Sequence, residues 1–140
     1  MKTLIAVRGV SNRGKSTSIK LAYQLLRKEY PEAIFDKLFI GVKDISLIVK
    51  INGVKIGIES QGDPGSRIFE SLKLFQERNC RIIVCATRSR GKTTQAVSNL
   101  AKKYRITWIE KDVESESKKQ NVRNKETADF IMSIIRKELQ

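Results

Sequence analysis

The sequence contains no histidine, which removes the usual physiological-pH acid–base group. Any proton transfer therefore has to come from Asp, Glu, Lys or a bound water. Two cysteines are present, Cys80 and Cys85, without a C-x-x-C pair, so no zinc site is expected. Placed in one strand, residues five apart sit about 16 Å from each other on opposite faces, too far to form a disulfide. Two free, buried thiols fit a reducing compartment. Aromatic residues make up 6% of the chain and form no ladder among the basic ones, which argues against a stacking platform for single-stranded nucleic acid. No apolar run approaches the roughly 20 residues that a membrane-spanning helix needs. Arg8 interrupts the apolar stretch near the start, so no signal peptide is expected and the chain reads as cytoplasmic.

Positive charge, in contrast, is abundant. The 140 residues carry a net charge of +13 at pH 7, and their length suits one domain spanning 1–140. The surplus is uneven: residues 78–125 hold thirteen basic side chains against Glu110, Asp112, Glu114 and Glu116. A surplus of this kind favours polyanions, either nucleic acid bound through the 78–125 half or the phosphates of a substrate. A solvated basic surface that only aids solubility is the alternative.

Hydrophobic spacing alternates between strand and helix periods. Strands are expected at 3–8, 44–50, 54–59, 81–86 and 105–109, and helices at 15–30, 65–78, 93–104 and 122–138. Asn52-Gly53, between the second and third strands, is a strong signal for a tight hairpin. The run at 81–86 is apolar throughout, as in a strand covered on both faces of a parallel sheet. In such a sheet, ligands bind at the carboxyl ends of the strands.

Between the first strand and the first helix, residues 9–16 read G-V-S-N-R-G-K-S, a full match to G-x-x-x-x-G-K-[ST]. In that position the glycines let successive backbone N–H groups curl around phosphates, and the helix N-terminus adds its positive dipole end. By this motif the chain resembles the P-loop NTPase superfamily. The resemblance implies a three-layer α/β P-loop fold, here a mainly parallel five-stranded sheet with the 44–50 strand as an antiparallel edge. It implies a nucleoside triphosphate held with Mg²⁺ by Gly9, Val10, Ser11, Asn12, Arg13, Gly14, Lys15, Ser16 and Thr17. Lys15 would reach the β- and γ-phosphates, and the Ser16 hydroxyl would hold the metal.

Such a site also needs a carboxylate at the end of a nearby strand. Glu59 closes the 54–59 strand and is the expected second metal ligand. Glu59-Ser60-Gln61-Gly62 resembles the D-x-x-G switch of GTPases with Glu in place of Asp. Gln61 is a candidate for positioning water. Asp63 is a candidate for assisting the metal or acting as a base, and, ahead of Pro64, equally a candidate helix cap.

A second segment, Ala86-Thr87-Arg88-Ser89-Arg90-Gly91-Lys92-Thr93, follows a strand, precedes a helix and matches a looser form of the phosphate-loop pattern. It is a second nucleotide loop, a source of cations with Arg88, Arg90 and Lys92 facing the phosphates, or a solvated basic loop. The N-K-x-D guanine reader of GTPases is replaced here by Thr87-Arg88-Ser89-Arg90, so ATP, or little base selectivity, is expected rather than GTP. Three functions remain open: an NTPase coupled to a partner or nucleic acid, a small nucleoside- or nucleotide-type kinase, and a non-catalytic nucleotide-binding module that binds nucleic acid.

Overall fold

The computed structural model describes residues 1–9, 14–41, 44–111 and 117–140, with the backbone alone at 39, 40, 117 and 118. Along the chain the elements are β1 (Lys2–Arg8), α1 (Lys15–Glu29), β2 (Ile34–Ile40), β3 (Ile45–Ile51), β4 (Val54–Glu59), α2 (Ile68–Glu77), β5 (Ile82–Thr87), α3 (Lys92–Ser98), β6 (Tyr104–Glu110) and α4 (Ser117–Leu139). The strands form one mixed sheet in the order β2-β3-β4-β5-β1-β6. The pairs β4/β5, β5/β1 and β1/β6 are parallel, whereas β2/β3 and β3/β4 are antiparallel.

The expected three-layer P-loop fold, with a five-stranded sheet and one antiparallel edge strand, is not what forms. The sheet has six strands and two antiparallel pairs, and β3 is internal because β2 pairs along its outer side. The sequence of β2 concealed it. Apolar residues occupy 34, 35, 38, 39 and 40 without alternation, a register shift interrupts the pairing between Lys37 and Phe39, and Ile34 is 67% exposed. An irregular edge strand of this sort lacks the period of two by which a half-buried strand is recognised.

Elsewhere the local chemistry explains the elements. On α1 the spacing of Ile19, Ala22, Tyr23 and Leu26 builds one buried stripe. The helix stops before the Tyr30-Pro31 pair, since proline disfavours helical backbone in the residue ahead of it. The β3–β4 hairpin turns at Asn52 and Gly53, both left-handed with φ of 50° and 82°, as a two-residue hairpin turn requires. The third helix is shorter than its apolar spacing implied: it ends at Ser98, and turns carry the chain to Tyr104, which is already strand.

Alternation along β1 sends its side chains to two separate cores. Ile5 and Val7 join Ile19 and Leu26 of α1 and Ile131 of α4 on one face. Leu4 and Ala6 join Phe75 of α2 and Val97 of α3 on the other. Cys80 lies ahead of β5 rather than within it, so both cysteines end up in this second cluster, not on opposite faces as strand alternation implied. Both thiols are free and buried, and burial raises Cys80 to about 11. Among the described residues, no helix is long and apolar enough to cross a membrane.

Candidate functional site

Adjacent parallel strands β1 and β5 send the chain to opposite faces of the sheet. β1 leads into α1 on one face, and β5 leads into α3 on the other. A crevice must open between their carboxyl ends, and α/β sheets use such a reversal point for ligands. Lys15 bridges this crevice. Its Nζ donates to the Gly9 carbonyl at 2.8 Å, just past β1, and to the Thr87 carbonyl at 2.9 Å, at the end of β5. The side chain is only 6% exposed, and among the described residues no carboxylate lies within salt-bridge distance of it. Burial pushes the ammonium below its ordinary value; the field of Asp63 opposes this and that of Arg88 adds to it.

Gly14 precedes the helix in left-handed backbone, φ 83°, and lies so close to Asn124 of α4 that a Cβ there would collide with the Asn124 side-chain oxygen. Glycine is therefore required twice over at this position, by conformation and by space. Thr17 is exposed on the first turn of α1. Val10, Ser11, Asn12 and Arg13, expected to complete the loop, lie outside the described residues.

Beside Lys15 a second polar group assembles around a residue that the sequence reading did not single out. Asp44, just ahead of β3, receives the Ser16 hydroxyl at 3.1 Å and the Ser60 hydroxyl at 3.2 Å on Oδ1, and the Gln61 amide at 3.0 Å on Oδ2. Hairpin register brings these groups together. Ser46 pairs with Glu59, so carrying the ladder two residues further sets Asp44 opposite Gln61. The Asn52-Gly53 turn was the available signal, because a two-residue hairpin loop fixes the register of everything beyond it.

Glu59, expected at the metal, points elsewhere. Gly57 and Glu59 share a strand face, and the Cβ direction of Gly57 meets the Phe75 ring of α2. Glu59 is fully buried on that face, away from α1. Its carboxylate accepts from the Ser71 hydroxyl at 2.6 Å, from the Gln61 backbone N–H at 3.0 Å and from Arg67 at 3.3 Å. These partners tie the strand end to α2 and to the turn that carries Gln61. Ser60 and Gln61 reach the Lys15 side; Glu59 anchors them.

The remaining candidates divide. Asp63 and Arg88 meet in an ion pair of 2.7 Å at the crevice mouth, so Asp63 holds Arg88 rather than capping a helix. Arg90 is exposed on the loop after β5. The second glycine-lysine loop closes on itself. The Thr93 hydroxyl accepts from the Arg88 N–H at 3.0 Å, the Thr94 hydroxyl donates to the Arg88 carbonyl at 2.7 Å, and Lys92 points to solvent. At the end of β6, Glu110 pairs with Arg8, which also stacks 4.3 Å over Trp108. Lys111 bonds Asn124 at 2.8 Å, and Asp112 is outside the described residues. The basic run 78–125 does not form one patch. Arg81, Lys102, Lys103 and Arg105 fall at the amino edge of the sheet, whereas Arg88, Arg90 and Lys92 fall at the carboxyl edge.

If Glu59 is an anchor, Glu59→Ala lowers stability by about 3 kcal/mol, because the half-buried Arg67 loses its carboxylate and Ser71 its acceptor. Chemical denaturation of Glu59→Ala, Ser71→Ala and the double variant checks this: the two losses should be less than additive. A stable Glu59→Ala protein would show that the carboxylate holds nothing in place. A scan against family models, a search of curated proteins and a search of solved structures each return no match to this chain.

Proposed function

We propose that the chain binds a magnesium nucleoside triphosphate in the β1/β5 crevice and hydrolyses its terminal phosphate. The carrying observation is Lys15: a buried ammonium, held among the described residues by carbonyls alone, at the mouth of a helix N-terminus. A cation in that setting is desolvated without a compensating carboxylate, so a phosphate group is the partner that best restores its lost hydration. The dipole of the 15-residue α1 adds to the same attraction.

The oxygen donors near Lys15 suit Mg²⁺. This ion prefers hard oxygen ligands and is usually held by one or two carboxylates together with substrate phosphates, keeping several waters. Ser16 and Asp44 supply one hydroxyl and one carboxylate, 3.1 Å apart. Among the described residues no group of three or more His, Cys, Asp or Glu converges on a metal position, so a site enclosed by protein carboxylates is not built there. When bound, the metal would neutralise phosphate charge and help align the terminal group. Asp44 takes the place that Glu59 had been given.

The chain's own groups have separable tasks. Lys15 spreads positive charge over the β- and γ-phosphates, where negative charge shifts during transfer. Gln61, fixed by Asp44 and by the Arg67 N–H, holds an amide beside the same point and orients the attacking water. Arg88, held at Nε by Asp63, stabilises the charge on the transferring phosphate through its remaining guanidinium N–H groups. Thr87-Arg88-Ser89-Arg90 offers no acidic side chain to a guanine, which favours ATP. The reading goes with a cytoplasmic location, where the two thiols stay reduced.

Phosphate release from ATP and GTP with Mg²⁺, compared between wild type and Lys15→Ala, tests the proposal. The variant is expected to lose at least about 100-fold in turnover, as when a preorganised charge-stabilising group is removed. Triphosphate affinity is also expected to fall with rising pH at a lower pH than the ordinary lysine value of 10.5. The sign follows from burial. Free Lys15 releases its proton early, a bound polyanion favours the protonated form, and binding above that pH requires proton uptake. Unchanged affinity and turnover in Lys15→Ala would sink the phosphate reading. Release that rises with DNA or RNA and falls steeply with salt would identify nucleic acid as the coupled partner.

Asp44→Asn separates the metal role from the phosphate role. It is expected to keep metal-free triphosphate binding and to lose the tightening that Mg²⁺ confers, measured by calorimetric titration with and without the ion. Equal tightening in the variant and the wild type would remove Asp44 from the metal site.

A further inference from the structure

A groove of about 660 Å³ runs between α1 and α4, starting at Thr17 and ending near Lys28. Its volume lies within the roughly 300–1,000 Å³ typical of small-molecule sites. We propose that this groove takes the nucleoside end of the triphosphate, a step that rests on the phosphate reading above.

Continuity with the phosphate site comes first. Thr17 follows Ser16 directly, so the groove opens one residue beyond the hydroxyl assigned to the metal. Asn124 forms the shared wall: it lines the groove and at the same time packs against Gly14. From Thr17 to Lys28 the helix extends about 16 Å, room for a ribose and a base laid along it.

The lining has the chemistry of a nucleoside site. Leu21, Leu25 and Ala128 provide an apolar bed for a flat ring, and Gln24 and Asn121 bring neutral amides to the rim. Asn124 is the sharper observation. It is 4% exposed, and its Oδ1 accepts from Lys111 Nζ at 2.8 Å and lies 3.2 Å from the Ser18 hydroxyl. Because lysine can only donate, the oxygen must be the atom facing Lys111, which fixes the orientation of the amide. That amide lines the groove, where its nitrogen can donate to a ring nitrogen, a base carbonyl or a ribose oxygen of a bound nucleoside.

Calorimetric binding of ATP and of inorganic tripolyphosphate, each to wild type, Gln24→Trp and Asn121→Trp, tests the proposal. Both substituted positions are exposed, so the helices should keep their cores, and a thermal melt verifies it. Wild type is expected to bind ATP at least tenfold more tightly than tripolyphosphate. The tryptophan variants should erase that difference and leave tripolyphosphate affinity unchanged. Equal affinity of wild type for the two ligands would overturn the groove assignment, with the phosphate site left standing. So would tryptophan variants that keep the full ATP preference, or that weaken both ligands alike. Absence of binding for either ligand would remove the phosphate reading and the groove assignment together.

Discussion

The architecture turns on one buried ammonium. Lys15 sits where the carboxyl ends of β1 and β5 meet, held by the Gly9 and Thr87 carbonyls. Burying a charge is costly unless it is hydrogen-bonded or paired, and two carbonyl dipoles meet only part of that demand. The arrangement therefore depends on three things at once. β1 and β5 must be neighbours, α1 must begin at Lys15, and the chain must leave the two strands toward opposite faces of the sheet. The Gly9 N–H bond to the Thr87 carbonyl, at 3.1 Å, clamps the two strand ends that the lysine bridges. Gly62 packs so closely on Ala86 and Thr87 that a side chain there would press into backbone, which brings the turn carrying Gln61 over the same strand end.

From this fixed point, strand parity decides which carboxylate can take part. Residues alternate faces along β4, with Ile56 and Ile58 on the α1 side and Gly57 and Glu59 on the α2 side. A carboxylate on the α2 side is enclosed by Ser71, Arg67 and the Gln61 N–H, and works as a strut. The antiparallel partner β3 brings Asp44 in from the other direction, and Asp44 reaches Ser16. Position at a strand end is therefore not enough to bring a carboxylate to Ser16; the face must be the one that carries α1. The strut still serves the site, because it holds the turn from which Ser60 and Gln61 reach Asp44.

How much of this was legible varied with the kind of signal. Strong local patterns were readable: the glycine-lysine loop between β1 and α1, the Asn-Gly hairpin, the doubly covered β5 and the apolar stripes of α1, α2 and α4. Phe69 of α2 is 38% exposed, at the margin of the stripe formed by Ile68, Leu72 and Phe75. Hidden were features that depend on partners remote in sequence. β2 is an edge strand with a register shift and gains its order from pairing with β3, so its own pattern was uninformative. The face of Glu59 could have been read from strict alternation with Ile58, and Asp44 from the hairpin register. Both require carrying a pairing rule beyond the hairpin turn instead of reading each residue beside its neighbours. The distribution of basic residues was illegible for the same reason, since a run contiguous in sequence is split by β5 and β6 between opposite edges of the sheet.

The two Gly-Lys loops show how little of such a motif is chemistry until the backbone is placed. Both follow a central parallel strand and open a helix, and the two strands are direct neighbours. In the first loop the lysine folds inward across the crevice and the following hydroxyl, on Ser16, faces Asp44. In the second loop Lys92 faces solvent, and Thr93 caps the Arg88 N–H of its own loop. α3 is only seven residues long and lies on the opposite face of the sheet, so its first turn is directed away from the crevice that α1 enters. What the second loop places beside the first is Arg88, held by Asp63. Two similar sequences side by side thus end differently: one buries its lysine between backbone carbonyls, and the other leaves its lysine to solvent and its arginine in an ion pair.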